Sequence, residues 1–364
     1  MTSKCSGYVQ MFPEQKMKER KIMKKLFAVV MAALMLLSMT ACGSGSAPAA
    51  TTAPAETAAA AAEAPATEAA APAETYVVGI CQLVQHDALD AATQGFKDAL
   101  TDQLGDRVTF QEQNASGEPA NCTTIVNGFV SSKVDLIMAN ATPALQAAQA
   151  ATDDIPILGT SVTDYASALE IDNWNGTVGG NVSGTSDLAP LDQQAAMIQE
   201  LFPETKTVGL LYCSAEANSQ YQVDEMVKYL ADLGMTGVPY SFTDTNDVAS
   251  VAQTACDNSD VLYIPTDNTA ASNTEAIANV VLPAGVPVIA GESGICAGCG
   301  IATLSISYYD LGYATGLMAA KVLTGEASIS EMPVEYAPEV TKMYNAANCE
   351  ALNVTVPEDY QPMG

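Results

Sequence analysis

From Tyr76 onward, short apolar runs rich in β-branched residues alternate with stretches whose apolar positions recur every three or four residues. The first run, Tyr76-Val77-Val78-Gly79-Ile80, precedes Leu89, Ala92, Phe96 and Leu100, a spacing that predicts an amphipathic helix with Asp87 as its cap. Strand-like runs follow at Val108-Thr109-Phe110, Val134-Asp135-Leu136-Ile137-Met138 and Ile155-Pro156-Ile157-Leu158. The same order returns at Val208-Gly209-Leu210-Leu211-Tyr212, Gly237-Val238-Pro239-Tyr240, Val261-Leu262-Tyr263-Ile264 and Val286-Pro287-Val288-Ile289. Val77 to Val208, Val108 to Val238, Val134 to Val261 and Ile155 to Val286 are separations of 131, 130, 127 and 131 residues. Alternating strands and helices imply parallel sheets, and a near-constant offset implies two copies of one architecture. The expected fold is α/β, with two similar doubly wound parallel-sheet lobes.

The first 75 residues break this pattern. Lys24-Lys25 precede an uncharged stretch from Leu26 to Ala41, which has the charged start, apolar middle and small-residue end of a secretory signal. As a helix this stretch rises only about 24 Å, short of a hydrocarbon core of roughly 30 Å. It ends in Met39-Thr40-Ala41-Cys42-Gly43-Ser44, which resembles the lipobox of bacterial lipoproteins, with Met39 in place of the usual leucine. That resemblance implies lipidation of Cys42. Residues 43–75 are all Ala, Pro, Thr, Glu, Ser or Gly, a tether that builds no core. Residues 1–22 read as an extension upstream of a second candidate start, Met23.

A chain of 364 residues allows about two domains. Its 14 basic and 42 acidic residues give a net charge of −28, which argues against nucleic acid as a partner. Seven of the basic and two of the acidic residues precede Cys42, so the remainder carries −33 and suits cationic better than anionic ligands. Hydrophobic residues make up 48% of the chain, too many for a disordered protein. A single histidine, His86, leaves a histidine-based triad or multi-histidine metal site without material, and reads as a pocket donor or helix-start residue. Cys296-Ala297-Gly298-Cys299 has redox or zinc spacing but no second pair nearby, so a local disulfide or two free thiols is expected. Cys81, Cys122, Cys213, Cys256 and Cys349 lie in or beside apolar segments and read as small hydrophobes. Gly176-Thr177-Val178-Gly179-Gly180 lacks the Lys-Ser/Thr of a phosphate loop. Neither a cofactor, a metal nor an enzyme activity is expected.

Open parallel sheets bind ligands just beyond the carboxyl ends of their strands. Those ends carry Gln82-Leu83-Val84-Gln85-His86, Asn140-Ala141-Thr142-Pro143 and Gly159-Thr160-Ser161 in the first half. The second half offers the loop from Cys213 to Ser219, Thr266-Asp267-Asn268-Thr269 and Gly291-Glu292-Ser293. Lobes that face each other would line one cleft with these loops. Thr142-Pro143 places a hydroxyl at a helix cap and a proline at the first helical position, leaving N–H groups that suit a carboxylate. Asp267 suits an ammonium ion, and reads equally as the cap of a helix beginning near Asn268. Tyr165 is either a lobe-surface residue or a ligand contact. Tyr308 and Tyr309 begin a helix and are expected to pack between the lobes.

The runs Leu83-Val84-Gln85-His86-Asp87-Ala88-Leu89-Asp90, Asn181-Val182-Ser183-Gly184-Thr185-Ser186-Asp187, Ser214-Ala215-Glu216-Ala217-Asn218-Ser219, Pro265-Thr266-Asp267-Asn268-Thr269 and Ser307-Tyr308-Tyr309-Asp310-Leu311-Gly312-Tyr313 closely resemble the ABC-transporter substrate-binding lipoproteins of the tryptophan/tyrosine-uptake type. The likeness runs from about Tyr76 to the C-terminus. It implies a type I periplasmic-binding-protein fold with a three-stranded hinge. Lobe 1 would be residues 76–185 plus 292–325 and lobe 2 residues 186–291 plus 326–364, behind a signal (1–41) and a lipidated tether (42–75). Crossings would fall near Gly184-Thr185, Gly291-Glu292 and Gly325-Glu326, where glycine eases hinge motion.

The resemblance also implies a function. A monomer anchored by lipid at the outer face of a bacterial membrane would bind an aromatic amino acid such as tryptophan, tyrosine or phenylalanine, and deliver it to a permease driven by a separate ATPase. Thr142 and Ser161 would meet the ligand carboxylate, Ser214, Asn218 and Ser219 would face it from lobe 2, and Asp267 would pair with the ammonium. Gln85 and Glu292 complete the candidate set. The same fold serves nucleosides, sugars and other polar ligands, and sensors that signal to a membrane partner, so these stand as alternatives.

Overall fold

The computed structural model describes residues 74–337 and 339–363, so the signal, Cys42 and nearly all of the tether lie outside the described residues. The first half runs β1 (Tyr76–Gln82), α1 (Asp87–Leu104), β2 (Val108–Asn114), α2 (Pro119–Ser132), β3 (Leu136–Asn140), α3 (Thr142–Ala151), β4 (Ile157–Val162), α4 (Tyr165–Ala168) and β5 (Val182–Ser186). The second continues through α5 (Leu191–Leu201), β6 (Thr207–Cys213), α6 (Ala217–Asp232), β7 (Thr236–Phe242), α7 (Val248–Asn258), β8 (Val261–Ile264), α8 (Asn268–Ala271), α9 (Thr274–Ala284), β9 (Val288–Ala290), α10 (Ser293–Gly298) and β10 (Ala302–Ser305). The chain closes with α11 (Tyr308–Leu323), β11 (Glu335–Tyr336), β12 (Thr341–Tyr344), α12 (Ala346–Ala351) and β13 (Gln361–Pro362).

Side chains alternate across a strand, so a run that is apolar throughout must be covered on both faces. On β1, Val78 and Ile80 pack with Phe96 and Leu100 of α1, while Cys81 packs with Phe129 of α2 and Leu145 of α3. On β6, Val208 and Leu210 meet Val223 and Met226 of α6, while Leu211 and Cys213 meet Ala252 of α7 and Ile277 of α9. The sheets run β11-β5-β4-β3-β1-β2 and β13-β12-β10-β9-β8-β6-β7. Within them, β2-β1-β3-β4-β5 and β7-β6-β8-β9-β10 are the same order. Pairing is parallel except where β12 runs antiparallel to β10. The expectation of two similar doubly wound lobes holds.

Strand pairing moves the crossings. β10 pairs with β9 and β12, and α10 packs on β9 and β10, so residues 292–305 sit in lobe 2 rather than lobe 1. α11 packs along α1 and belongs to lobe 1, as expected for residues 308–325. β11 pairs with β5, so the chain through Tyr336 stays in lobe 1 instead of passing to lobe 2 at Gly325-Glu326. The three crossings therefore lie between β5 and α5, between β10 and α11, and between β11 and β12. The glycines expected to ease the hinge lie elsewhere. Gly184, at φ +145°, is required by packing, since a Cβ there would lie 2.0 Å from the Gly159 carbonyl oxygen.

Candidate functional site

The carboxyl ends of β1, β3, β4, β6, β8 and β9 face one another across the gap between the lobes. A narrow crevice with only about 10 Å³ of free space lies there, lined by His86, Leu89, Ser161 and Thr163 from lobe 1 and by Asn218, Thr266, Asp267, Asn268, Ala271 and Glu292 from lobe 2. Asp187 and Tyr308, at the first and second crossings, complete the lining. Buried polar atoms are nearly always paired. Here His86 Nδ1, Ser161 Oγ, Asp187 Oδ1 and Asn218 Oδ1 are buried without a protein partner, half of all such atoms among the described residues.

Local structure explains three of these four atoms. Ser161, the last but one residue of β4, sits at φ +54°, where the register with β5 slips between Gly159 and Val162. A left-handed serine costs about 1 kcal/mol or more, and such strain concentrates at functional sites. Asn218, in the first turn of α6, donates its Nδ2 to the Thr266 carbonyl (3.0 Å) and to Glu216 Oε2 (3.2 Å), which orients the amide and leaves Oδ1 open. Asp187 accepts from the Tyr308 hydroxyl at 2.9 Å through Oδ2, leaving Oδ1 free. Burial raises its pKa to about 6, with the Glu292 charge adding to the effect.

Thr142 is not the cap of α3. Ala141 holds that position at φ +88°, so the buried Thr142 hydroxyl makes no capping bond and has no partner. Likewise His86, not Asp87, is the N-cap of α1. Asp267 does cap α8: Oδ1 accepts from Ala270 N–H (2.8 Å) and Oδ2 from Cys213 N–H (2.7 Å). Burial and the nearby Glu216 raise its pKa to about 7. Glu292 caps α10 through Gly294 and Ile295 N–H, and burial raises its pKa as well. Both carboxylates thus face the crevice while already holding backbone donors. Ser219 is buried behind Asn218 and accepts from its Nδ2 at 3.3 Å, outside the crevice lining.

Three expected positions fall away from the crevice. Ser214 is exposed and its hydroxyl donates to the Phe242 carbonyl at 3.2 Å. Gln85 is exposed on an outer groove beside His86 and Ala271. Tyr165 is neither on the lobe surface nor at the crevice: it is buried in the lobe 1 core and its hydroxyl donates to the Thr185 carbonyl at 3.1 Å. Tyr308 lines the crevice, whereas Tyr309 is 40% exposed and bonds Asp98 on the outside of lobe 1. Cys296 and Cys299 are free and buried, matching the two-thiol alternative.

Three buried carboxylates and no lysine or arginine line the crevice, a field that favours a cation. The free hydroxyl of Ser161 offers a donor to an anionic group on the lobe 1 side, whereas Thr142, also unpartnered, lies outside the crevice lining. Asp187 was not among the expected contacts, although it ends the run Asn181 to Asp187. Among the described residues no helix is long and apolar enough to cross a membrane.

A family model described as ABC transporter substrate binding protein matches residues 77–361. The chain is 36% identical over 280 residues to a tyrosine-binding protein of Clostridioides difficile (strain R20291), covering 76% of this chain and 81% of that one. The crystal structure of an ABC domain in complex with L-Trp from Streptococcus pneumonia superposes with a TM-score of 0.76 at 31% identity, covering 80% of this chain and 100% of the other. A ligand-free, open structure of a substrate binding protein with adhesive properties from Clostridium difficile gives 0.62 at 37% identity, covering 79% and 99%.

Proposed function

Because the chain belongs to the family of ABC transporter substrate binding proteins, which bind and carry solutes outside the cytoplasm and are not enzymes, we propose that its cargo is an aromatic amino acid, tyrosine or tryptophan first. The observation that carries this reading is that the free Oδ1 of buried Asp187 and the unpartnered hydroxyl of Ser161 line one crevice. A zwitterion satisfies both: the ammonium goes to Asp187 within the field of Asp267 and Glu292, and the carboxylate to Ser161. Asn218 Oδ1 takes a further donor from the ligand. Leu89, Ala271 and the Tyr308 ring supply the apolar wall. The tyrosine-binding relative of Clostridioides difficile and the L-Trp complex of the Streptococcus protein support the same reading. In this reading the protein is a monomer held by lipid on Cys42, reaches out on its tether, and serves a permease with its ATPase.

Calorimetry with L-tyrosine, L-tryptophan, nucleosides and sugars tests the reading. Saturable binding of an aromatic amino acid, with a matching rise in melting temperature, is expected. Binding of a sugar or nucleoside alone would replace it.

A pH dependence follows from Asp187. Its raised pKa of about 6 means that the empty fold gains stability as pH falls below 6, because the buried carboxyl becomes neutral. Ammonium binding needs the carboxylate, so affinity runs the other way and drops by up to about tenfold per pH unit below 6. Titrations at pH 7 and pH 5 that return equal affinity would remove Asp187 from the ammonium site.

A further inference from the structure

His86 and Asn268 meet across the gap. His86 Nε2 lies 3.3 Å from Asn268 Oδ1. His86 stands at the start of α1 in lobe 1 and Asn268 at the start of α8 in lobe 2. Among the described residues this is the one side-chain hydrogen bond that joins the lobes away from the crossings. The lobe 2 half is fixed in advance. Asn268 donates Nδ2 (2.7 Å) and its backbone N–H (3.1 Å) to Glu216 Oε2, while Thr269 donates twice to Oε1 at 2.8 Å. A carboxylate only accepts, so the Asn268 amide has one orientation, its oxygen faces the imidazole, and Nε2 carries the proton.

The pair also stands where the crevice meets solvent. Asn268 lines both the crevice and the outer cleft bounded by Ser116, Glu118 and Asp244. His86 lines both the crevice and the groove that holds Gln85 and Gly294. On the third side the wall is Tyr308, which is carried by α11 and held by Asp187. The wall made by His86 and Asn268 has one residue from each lobe, so it parts when the lobes separate. We propose that His86 and Asn268 form a latch that closes the lobes over the cargo and sets its rate of release. This rests on the ligand reading above. The role is one of positioning: the bond joins lobe to lobe, and its loss shortens the life of the closed state without removing the groups that hold the ligand's charges.

Stopped-flow release of L-tyrosine from the full-length protein tests it, using His86→Ala, Asn268→Ala, the double variant and His86→Gln. Each alanine variant is expected to speed release about 3- to 10-fold, the range of one hydrogen bond, with association changed less than about twofold. The double variant releases no faster than the faster single, because both remove the same bond. His86→Gln, whose amide N–H can still reach Asn268, retains slow release. Single-variant effects that multiply in the double variant, or release unchanged in all of them, overturn the latch while the ligand reading stands. Absence of L-tyrosine and L-tryptophan binding to the unaltered protein overturns that reading, and the latch with it.

Discussion

Asp187→Asn is expected to weaken tyrosine or tryptophan binding by about 30-fold or more without lowering the stability of the empty protein. Removing one partner of a desolvated charge pair costs roughly 2–5 kcal/mol of binding. Asparagine preserves the shape and still accepts from Tyr308, whose bond to Asp187 is 2.9 Å long. It also removes a charge that burial disfavours, as the raised pKa of about 6 records, so the melting temperature without ligand should hold or rise. Asp267→Asn separates the two roles available to that residue. It deprives Cys213 and Ala270 N–H of a charged acceptor, so stability and affinity should fall together. Calorimetric affinity and a thermal melt on both variants decide the matter. Affinity unchanged in Asp187→Asn but lost in Asp267→Asn with stability intact would transfer the ammonium to Asp267.

Gly312→Ala should lower the melting temperature by roughly 2–8 °C. Two effects of opposite sign compete. Alanine in a helix interior is worth about 1 kcal/mol over glycine. Against that, a Cβ on Gly312 would lie 1.9 Å from the Ala92 carbonyl oxygen, and its counterpart on Gly95 would lie 2.1 Å from the Tyr309 carbonyl oxygen. Backbone faces backbone where α1 and α11 cross, so no side chain can rotate away and the helices must separate. Overpacking of this kind costs about 2–3 kcal/mol or more, which exceeds the propensity gain. Tyr308 lies one turn before Gly312, so the same displacement should loosen its bond to Asp187 and raise the Kd. A melting temperature above that of the parent would show that propensity wins and that the crossing is not tight.

The eight apolar runs read from the sequence all became strands; in the six inner ones burial on both faces leaves an unbroken hydrophobic signature, while β2 and β7 are half-exposed edge strands marked only by a few β-branched and aromatic residues. The fifth strand of each lobe escaped for the opposite reason. Val182-Ser183-Gly184-Thr185-Ser186 and Ala302-Thr303-Leu304-Ser305 are buried yet mostly small and polar. In β5 the hydroxyls find partners only in the fold: Ser183 donates to the Met332 carbonyl, Thr185 pairs with Thr315, and Ser186 donates to the Thr163 carbonyl. With β10 unread, the second crossing was misplaced by about a strand and a helix.

The site was legible as a set of loops, and only partly as residues. Ser161, Asn218, Asp267 and Glu292 lie at strand ends and line the crevice. Whether a polar side chain is free or already engaged depends on neighbours distant in sequence. Ser214 looks as available as Ser161, but the Phe242 carbonyl takes its hydroxyl. Asp187 looks like a loop residue, and only its depth and its half-satisfied carboxylate single it out. Backbone strain at Ser161 and Ala141 is invisible to composition.

The bond from Tyr308 to Asp187 joins two of the three chain passages at the spot assigned to the cargo's positive end. Fulcrum and grip are therefore the same few atoms. A swing of the jaws that stretches this link also unloads the cargo, so a docking transporter could empty the protein by levering at its fulcrum, without reaching inside.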